Sequence, residues 1–406
     1  MKLPEAPWQE AEAMPRLLAA LDAETGATRF VGGCVRDTLL GLPVSDVDLA
    51  TRLMPDEVIQ RIRKAGLKPI PTGLAHGTIT ALIGPRSTVE ITTLRRDVAT
   101  DGRRATIAYT DDWREDAARR DFTINALSAD PATLAVHDYF GGLDDLAIHR
   151  LRFIGDPLTR IAEDHLRILR FFRFHARFGQ GEPDAEGLAA CAERANDLMA
   201  LSRERIADEM LKLLGLPDPA PTIALMLEWG IFAPVLPEIG RDGADRLARL
   251  PPREAAAGIA ADPLRRFGAL LPPDPEAAAA IGARLRLSNA ARQRLVCIAE
   301  RGEAPPAAPA ALAYRIGRAC AIDRFLLGGT DIGEAAASVR GLENWHRPRL
   351  PIGGGRLIAR GLEAGPIVAR TMQAIERDWI EAGFPEGKDF NAIVAARLAQ
   401  ALRESQ

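Results

Sequence analysis

Asp46 and Asp48, in "SDVDLAT", are the residues whose type and spacing are best suited to chemistry. In an extended strand, residues i and i+2 point to the same side. The pair therefore presents two carboxylates together, while Val47 and Leu49 turn to the core. Carboxylates held so close repel, and their ionised forms are strongly favoured only when cations bridge them. Two Mg²⁺ ions about 3.5–4 Å apart would do so, activating a 3′-hydroxyl and neutralising a leaving pyrophosphate. Glu90, in "TVEITTL", has two readings. It is a third carboxylate if its strand neighbours that of the aspartates, and a solvent-facing strand glutamate otherwise.

Upstream, "RFVGGCVRD" reads as a strand, a glycine pair and the start of a helix. Gly32 and Gly33 permit positive φ and a close backbone approach where helix amides begin, which suits a triphosphate. Arg36, one turn in, is placed to bind its oxygens; the other reading is a plain strand-to-helix turn with Arg36 and Asp37 as a surface pair.

A third motif, "RFIGDPLTRIAEDHLRILRFFRF", carries its own chemical logic. The spacing predicts one helix over 157–178, with Asp164 and Arg167 at i and i+3 as neighbours on its face. A carboxylate only accepts hydrogen bonds and a guanidinium only donates them. Adenine and cytosine present an amino donor beside a ring acceptor; guanine and uracil present the reverse. An Asp–Arg pair therefore fits A and C, and each mispaired buried group with G or U costs about 1–3 kcal/mol. On a straight helix Arg170 lies partly round from Asp164, and Arg173 lies opposite. Those two are expected to hold phosphate or neighbouring structure, not the base edge. The intervening Leu166, Ile168, Leu169, Phe171, Phe172 and Phe174 make this helix apolar nearly all round and hence largely buried. Residues 150–177 hold seven arginines against three acids, a local cluster that fits RNA or triphosphate in a chain of net charge −3.

The elements that must position these groups follow from periodicity. Helical spacing in "WQEAEAMPRLLAALDAE" leads into the strand "TRFVG". Beyond the aspartates come a helix, "PDEVIQRIRKAG", and two strands, "HGTITALI" and "TVEITTL". The polar stretch "RRDVATDGRRATIAYTDDW" reads as a mobile loop and "EDAARRDFTINALSA" as a helix. After about residue 140 the strand signal nearly vanishes. Helices are predicted at 185–196, 203–214, 219–230 and in "SNAARQRLVCIAER" with Ser288 as N-cap, and breaks at 215–221, 250–263, 271–279 and 302–311. At 406 residues the chain exceeds one ordinary core. Cys34, Cys191, Cys297 and Cys320 lie far apart without a C-x-x-C pair, which suggests neither a zinc site nor a disulfide framework and suits a reducing cytosol. With no basic-then-apolar leader and no apolar run near 18 residues, neither secretion nor membrane insertion is indicated. "VHD" at 136–138 lacks the companions of a metal phosphohydrolase, and "LPIGGGRLIARG" lacks the G-K-[ST] of a P-loop.

In order, "GGCVRD…DVD", "RRDFTINAL" and the third motif resemble those of the bacterial-type (class II) tRNA nucleotidyltransferase and poly(A) polymerase family, over residues 29–178. The resemblance implies an α+β chain, with a nucleotidyltransferase-fold head carrying a small mixed or antiparallel sheet and an all-α neck, body and tail. The corresponding spans are a catalytic head at 1–140, a neck at 141–214, a body at 215–301 and a tRNA-binding tail at 302–406. It makes Asp46 and Asp48 the ligands of two Mg²⁺ ions, with Glu90 as an additional catalytic candidate. It makes Gly33, Arg36, Arg120, Asp164, Arg167, Arg170 and Arg173 nucleotide contacts; Asp121 and Asn125 read either as part of that site or as braces.

The implied activity is template-independent addition of C, C and A to tRNA from CTP and ATP in the cytoplasm, through the acceptor arm, with no membrane and no disulfide-linked partner. Two other outcomes share the same head: poly(A) or partial CCA synthesis, and a catalytically silent RNA-binding module. Poly(A) polymerases of this family carry a "GRRFR"-like segment soon after the aspartates. Here that region reads "LKPIPTGLAHGTITALI", which resembles the CCA-adding type. The polar loop is intact, and in this family such a loop is associated with adding the final A.

Overall fold

The structure, a computed structural model, describes residues 1–11, 13–85, 87–100, 105–300 and 308–404. The chain packs as two units: Met1–Leu213 with Pro221–Pro237, and Leu214–Ala220 with Glu238–Gln406.

In the first unit, α1 (Met14–Ala20) precedes β1 (Thr28–Val31), α2 (Gly33–Leu39), β2 (Val47–Thr51) and α3 (Pro55–Lys64). Then come β3 (Lys68–Gly73), β4 (Thr78–Gly84) and β5 (Ser87–Thr93). With β8 (Ser128–Ala129) and β9 (Val136–His137), these strands form a seven-stranded sheet ordered β3-β4-β5-β2-β1-β8-β9. Only β2 and β5 run parallel, so the sheet is mixed. Alternation sets the faces: Leu49, Val89 and Ile91 are fully buried, as a period of two requires.

Two local predictions need correction here. The stretch expected as a mobile loop forms an antiparallel ribbon, β6 (Arg95–Thr100) with β7 (Ala105–Tyr109), while residues 101–104 of that loop lie outside the described residues. The helix expected through "RRDFTINAL" stops early: α4 covers Trp113–Ala118, and a single 3-10 turn covers Thr123–Asn125. The reason is pairing across the chain. Phe122 forms an antiparallel bridge with Phe153, and the Thr123 N–H donates to the Arg152 carbonyl at 3.0 Å, which takes this backbone out of a helix.

Next come α5 (Gly142–Ala147), α6 (Pro157–Glu163), α7 (Arg167–Phe178), α8 (Ala185–Glu193) and α9 (Arg203–Leu214). The predicted helix over 157–178 is thus two. Asp164 is extended (φ −150°, ψ 105°), its side chain accepts the Leu166 N–H at 3.1 Å, and its carbonyl accepts the Arg167 N–H at 3.0 Å. An aspartate that bonds to its own downstream backbone starts a new turn and does not continue the old helix. α7 is anchored by aromatic packing, with Phe153 stacked on Phe171 at 5.5 Å and Phe122 against Phe153 at 4.9 Å.

Every regular element described in the second unit is a helix. One core gathers Leu250, Phe325, Leu326, Val339 and Leu342; another gathers Leu357, Ile375, Trp379, Phe390 and Val394. Glu254 holds both Arg265 and Arg266, and Asp323 holds Arg265 and Arg294; Glu254, Asp323, Arg265 and Arg266 are all buried. Ser288 caps its helix as predicted, accepting the Ala291 N–H. The break expected at 250–263 is shorter. Pro251 and Pro252 lie inside the helix Arg241–Ala257, which ends at Gly258 (φ 70°). Of the break expected at 302–311, residues 302–307 lie outside the described residues.

The cysteine reading is also corrected. Cys297 and Cys320, 23 residues apart, form a disulfide because the helices Asn289–Ala299 and Arg318–Leu327 pack together and bring their Cα atoms to 6.3 Å. Cys34 and Cys191 are free and buried. No described helix is long and apolar enough to cross a membrane.

Candidate active site

Gly32, at φ 71°, ends β1 and opens α2; its N–H donates to the Leu127 carbonyl at 3.0 Å. The backbone conformation favours glycine, and a Cβ there would lie 2.8 Å from Nη1 of Arg120 and so displace that guanidinium. One strand over, Asp46 lies exposed just before β2, and its Oδ2 accepts the Ser45 hydroxyl at 2.7 Å. Asp48 is half-buried within β2 and stands in register with Glu90 on β5.

Glu90 meets the terms of both readings: its strand neighbours that of Asp48, and its side chain is solvent-exposed. Glu90 acts on the doublet electrostatically. Burial pushes the Asp48 carboxyl up to about 6, Glu90 and Asp46 add repulsion, and Arg120 partly offsets them.

Asp46 and Asp48 face a cleft of about 580 Å³ built within the first unit. Gly33, Arg36, Asp46, Asp48, Arg120, Asp164, Arg167, Arg170 and Arg173 all line it, so the structure brings together every predicted site residue except Glu90. Eight arginines and five aspartates line the cleft, a net positive wall suited to a polyanion.

The arginines are held in place. Arg36 is buried; its Nε and Nη2 reach Oδ1 of Asp37 at 2.7 and 2.6 Å, its Nη1 donates to Asn125, and it lies 4.1 Å from the Phe178 ring centroid. Arg170 Nε donates to Oδ2 of Asp121 at 2.7 Å, and Arg173 Nε to Oε2 of Glu209 at 2.6 Å. Both therefore hold neighbouring structure, one of the two roles expected of them. Asp121 also accepts from Asn125 at 2.9 Å, so these two residues brace Arg36 and Arg170. Burial would raise the Asp121 carboxyl, but Arg170 and these hydrogen bonds bring it down to about 2.

The geometry expected of Asp164 and Arg167 is corrected: they do not share a helix face, because the chain breaks between them. Both still reach the cleft. Asp164 is gripped by Arg205 Nη2 at 2.8 and 3.1 Å, while Arg167 donates to Glu163 and to the carbonyls of Arg160 and Arg119, the last two at 2.8 Å. Sequence reasoning missed Arg205 and Glu209, spaced i and i+4 on α9, which steady Asp164 and Arg173. The available signal was Glu209, an acid among the apolar positions of an amphipathic helix.

No group of three or more His, Cys, Asp or Glu side chains among the described residues has metal-holding geometry. Asp46 and Asp48 are the acidic pair of the motif that lines the cleft. That donor set suits Mg²⁺, which takes one or two carboxylates and completes its shell with substrate phosphate and water.

A mixed sheet bearing an acidic doublet beside a glycine turn, joined to helices, defines a nucleotidyltransferase head. Residues 28–152 match the poly A polymerase head domain, and 182–242 match "Probable RNA and SrmB- binding site of polymerase A". The chain is 31% identical over 412 residues to the CCA-adding enzyme of Limosilactobacillus fermentum, covering 98% of each. It is 43% identical over 220 residues to human CCA tRNA nucleotidyltransferase 1, mitochondrial, covering 53% of this chain and 50% of that protein. The chain thus spans about half the length of the mitochondrial relatives it matches. The Bacillus stearothermophilus CCA-adding enzyme, solved in complex with CTP, is 25% identical with a TM-score of 0.73, over 97% of this chain and 99% of that one. The Thermotoga maritima enzyme, solved with tRNA, shares the fold at 20% identity and a TM-score of 0.67, over 96% and 94% of the two chains. The chain belongs to the CCA-adding enzyme and poly(A) polymerase family of nucleotidyltransferases.

Proposed function

We propose that this chain adds C, C and A, without a nucleic-acid template, to the 3′ end of tRNA, using CTP and ATP and engaging the acceptor arm. The observation that carries the reading is the sharing of one cleft by the acidic doublet and the Asp164–Arg167 pair. Two Mg²⁺ ions on Asp46 and Asp48 would supply activation of the 3′-hydroxyl and neutralisation of the pyrophosphate. Arg36 and Arg120, with Arg170 behind them, offset the charge of the triphosphate.

Hydrogen-bond capacity supports base selection by the pair. A carboxylate offers about four lone-pair sites. Asp164 uses three, on Leu166 N and twice on Arg205, which leaves one on Oδ2. A guanidinium has about five N–H donors. Arg167 uses three, on Arg160, Glu163 and Arg119, and keeps Nε among the remainder. One free acceptor and a free donor are what the edge of A or C requires. We place the enzyme in the cytoplasm, where its substrates are found.

The test supplies tRNA lacking its 3′ end with each nucleoside triphosphate, alone and paired, and sequences the products. The expected result is two C residues from CTP alone and one A after them when ATP is added. An open-ended A run from ATP alone would instead assign poly(A) synthesis, and addition of A only to tRNA already ending in CC would assign an A-adding enzyme.

A further inference from the structure

Asp116 is outside the lining of the cleft, and neither the acidic doublet nor the base-edge pair uses it. Its side chain, on α4, is only 4% exposed, yet three groups converge on it. Oδ1 accepts the main-chain N–H of Arg95 at 3.2 Å, where the β6–β7 ribbon begins, and Arg119 Nε at 2.9 Å. Oδ2 faces Nη2 of Arg120 at 3.4 Å. Burial alone would favour the neutral acid; the two arginines reverse that and keep the carboxylate ionised.

What this anchor fixes is the position of Arg120. That guanidinium passes over Gly32 with no room for a Cβ beneath it, and it lies near enough to Asp48 to favour the ionised carboxylate. Its slot therefore has a bare backbone below, and both Asp48 and Asp116 act on its charge.

We propose that Asp116 is a positioning residue for nucleotide binding, holding Arg120 over the Gly32–Gly33 turn so that the guanidinium meets the triphosphate of the incoming nucleotide. This rests on the nucleotidyl-transfer reading above. Because the triphosphate is common to CTP and ATP, the effect is blind to the base. Because Arg95 shares the same carboxylate, the root of the ribbon and the phosphate-facing arginine have one anchor.

The experiment is a double-mutant cycle with Arg120→Ala, read as KM against kcat for each nucleotide on tRNA lacking its terminal A or its whole 3′ end. Asp116→Asn is expected to raise KM for CTP and ATP alike, by about tenfold, with kcat within about threefold. In the Arg120→Ala background the same change adds less than about twofold, because its target is gone. If Asp116→Asn does not fold by circular dichroism, Asp116→Glu carries the test. It keeps the charge, displaces Arg120 by a methylene, and is expected to raise both KM values only when Arg120 is present. An equal rise in the Arg120→Ala background, a loss confined to kcat, or an effect on one nucleotide alone would overturn the proposal. A wild-type enzyme that extends no tRNA would count against the nucleotidyl-transfer reading instead.

Discussion

At the scale of single residues, the least comfortable group in the cleft is Asp48. Its carboxyl is raised to about 6 by burial and by two neighbouring carboxylates, above an unfolded value near 4. The folded state therefore binds this proton more tightly, and the metal-free fold loses stability at this site as pH rises from about 4 to 6. A divalent cation competes with the same proton, so Mn²⁺ binding followed by calorimetry is expected to weaken about tenfold per pH unit below 6. Affinity independent of pH between 7 and 5 would contradict this role for Asp48. Asp46→Ala is expected to abolish incorporation of both C and A in a folded protein; normal activity would remove the doublet from the mechanism. Joint replacement of Asp164 and Arg167 by alanine is expected to spare Mn²⁺ binding and erase discrimination against UTP and GTP, measured by competition. Each lost hydrogen bond accounts for about 1–3 kcal/mol of that preference. The base-edge argument was legible in the sequence because it depends on side-chain type alone. The partners of those side chains were not legible, since Arg205 comes from 41 residues away.

Between residues and the whole lie the elements, and here two breaks matter most. The turn at Asp164–Leu166 separates α6 from α7, and the turn after Ala118 frees the Arg119–Asn125 segment from α4. Both were predicted as continuous helix, because hydrophobic periodicity persists through them while the backbone hydrogen bonds go elsewhere. The ribbon β6–β7 was hidden because charged residues and an Asp-Gly pair dominate the stretch between Arg95 and Arg104, so alternation gave no clear signal. Across these breaks, Asp121 joins the 119–125 segment to α7 through Arg170. Its carboxyl lies at about 2, below the unfolded value, so its stabilising contribution is present above pH 4 and is lost as pH falls toward 2. Asp121→Asn leaves the partly buried Arg170 with only the more distant Glu209, at 4.0 Å, and is expected to cost about 2 kcal/mol, read by urea unfolding. A loss below about 0.5 kcal/mol would mean the pair does not hold the two elements together.

Across the whole molecule, the two units differ in kind: one mixes strands and helices around a charged cleft, and the other is helical and tied by buried ion clusters and one covalent bond. Closing a loop of 23 residues restricts the unfolded chain by about 3 kcal/mol. Reduction with a dithiol, or replacement of Cys297 and Cys320 by serine, is therefore expected to lower the unfolding temperature of the second unit by several degrees. The cleft lies in the first unit, and nucleotide addition to saturating tRNA is expected to persist. Unchanged thermal unfolding after complete reduction, verified by thiol titration, would show that the bond contributes nothing.

The sequence by itself determined the chemistry: which side chains accept, which donate, and that two carboxylates stand two positions apart where a strand begins. Those properties are local, set by residue type and by the period of the backbone. Tertiary structure alone decided which strand stands beside Asp48, which arginine grips Asp164 and which cysteines meet. Each of these depends on chain segments brought together by burial, and the pattern within any one segment carries no record of its partner.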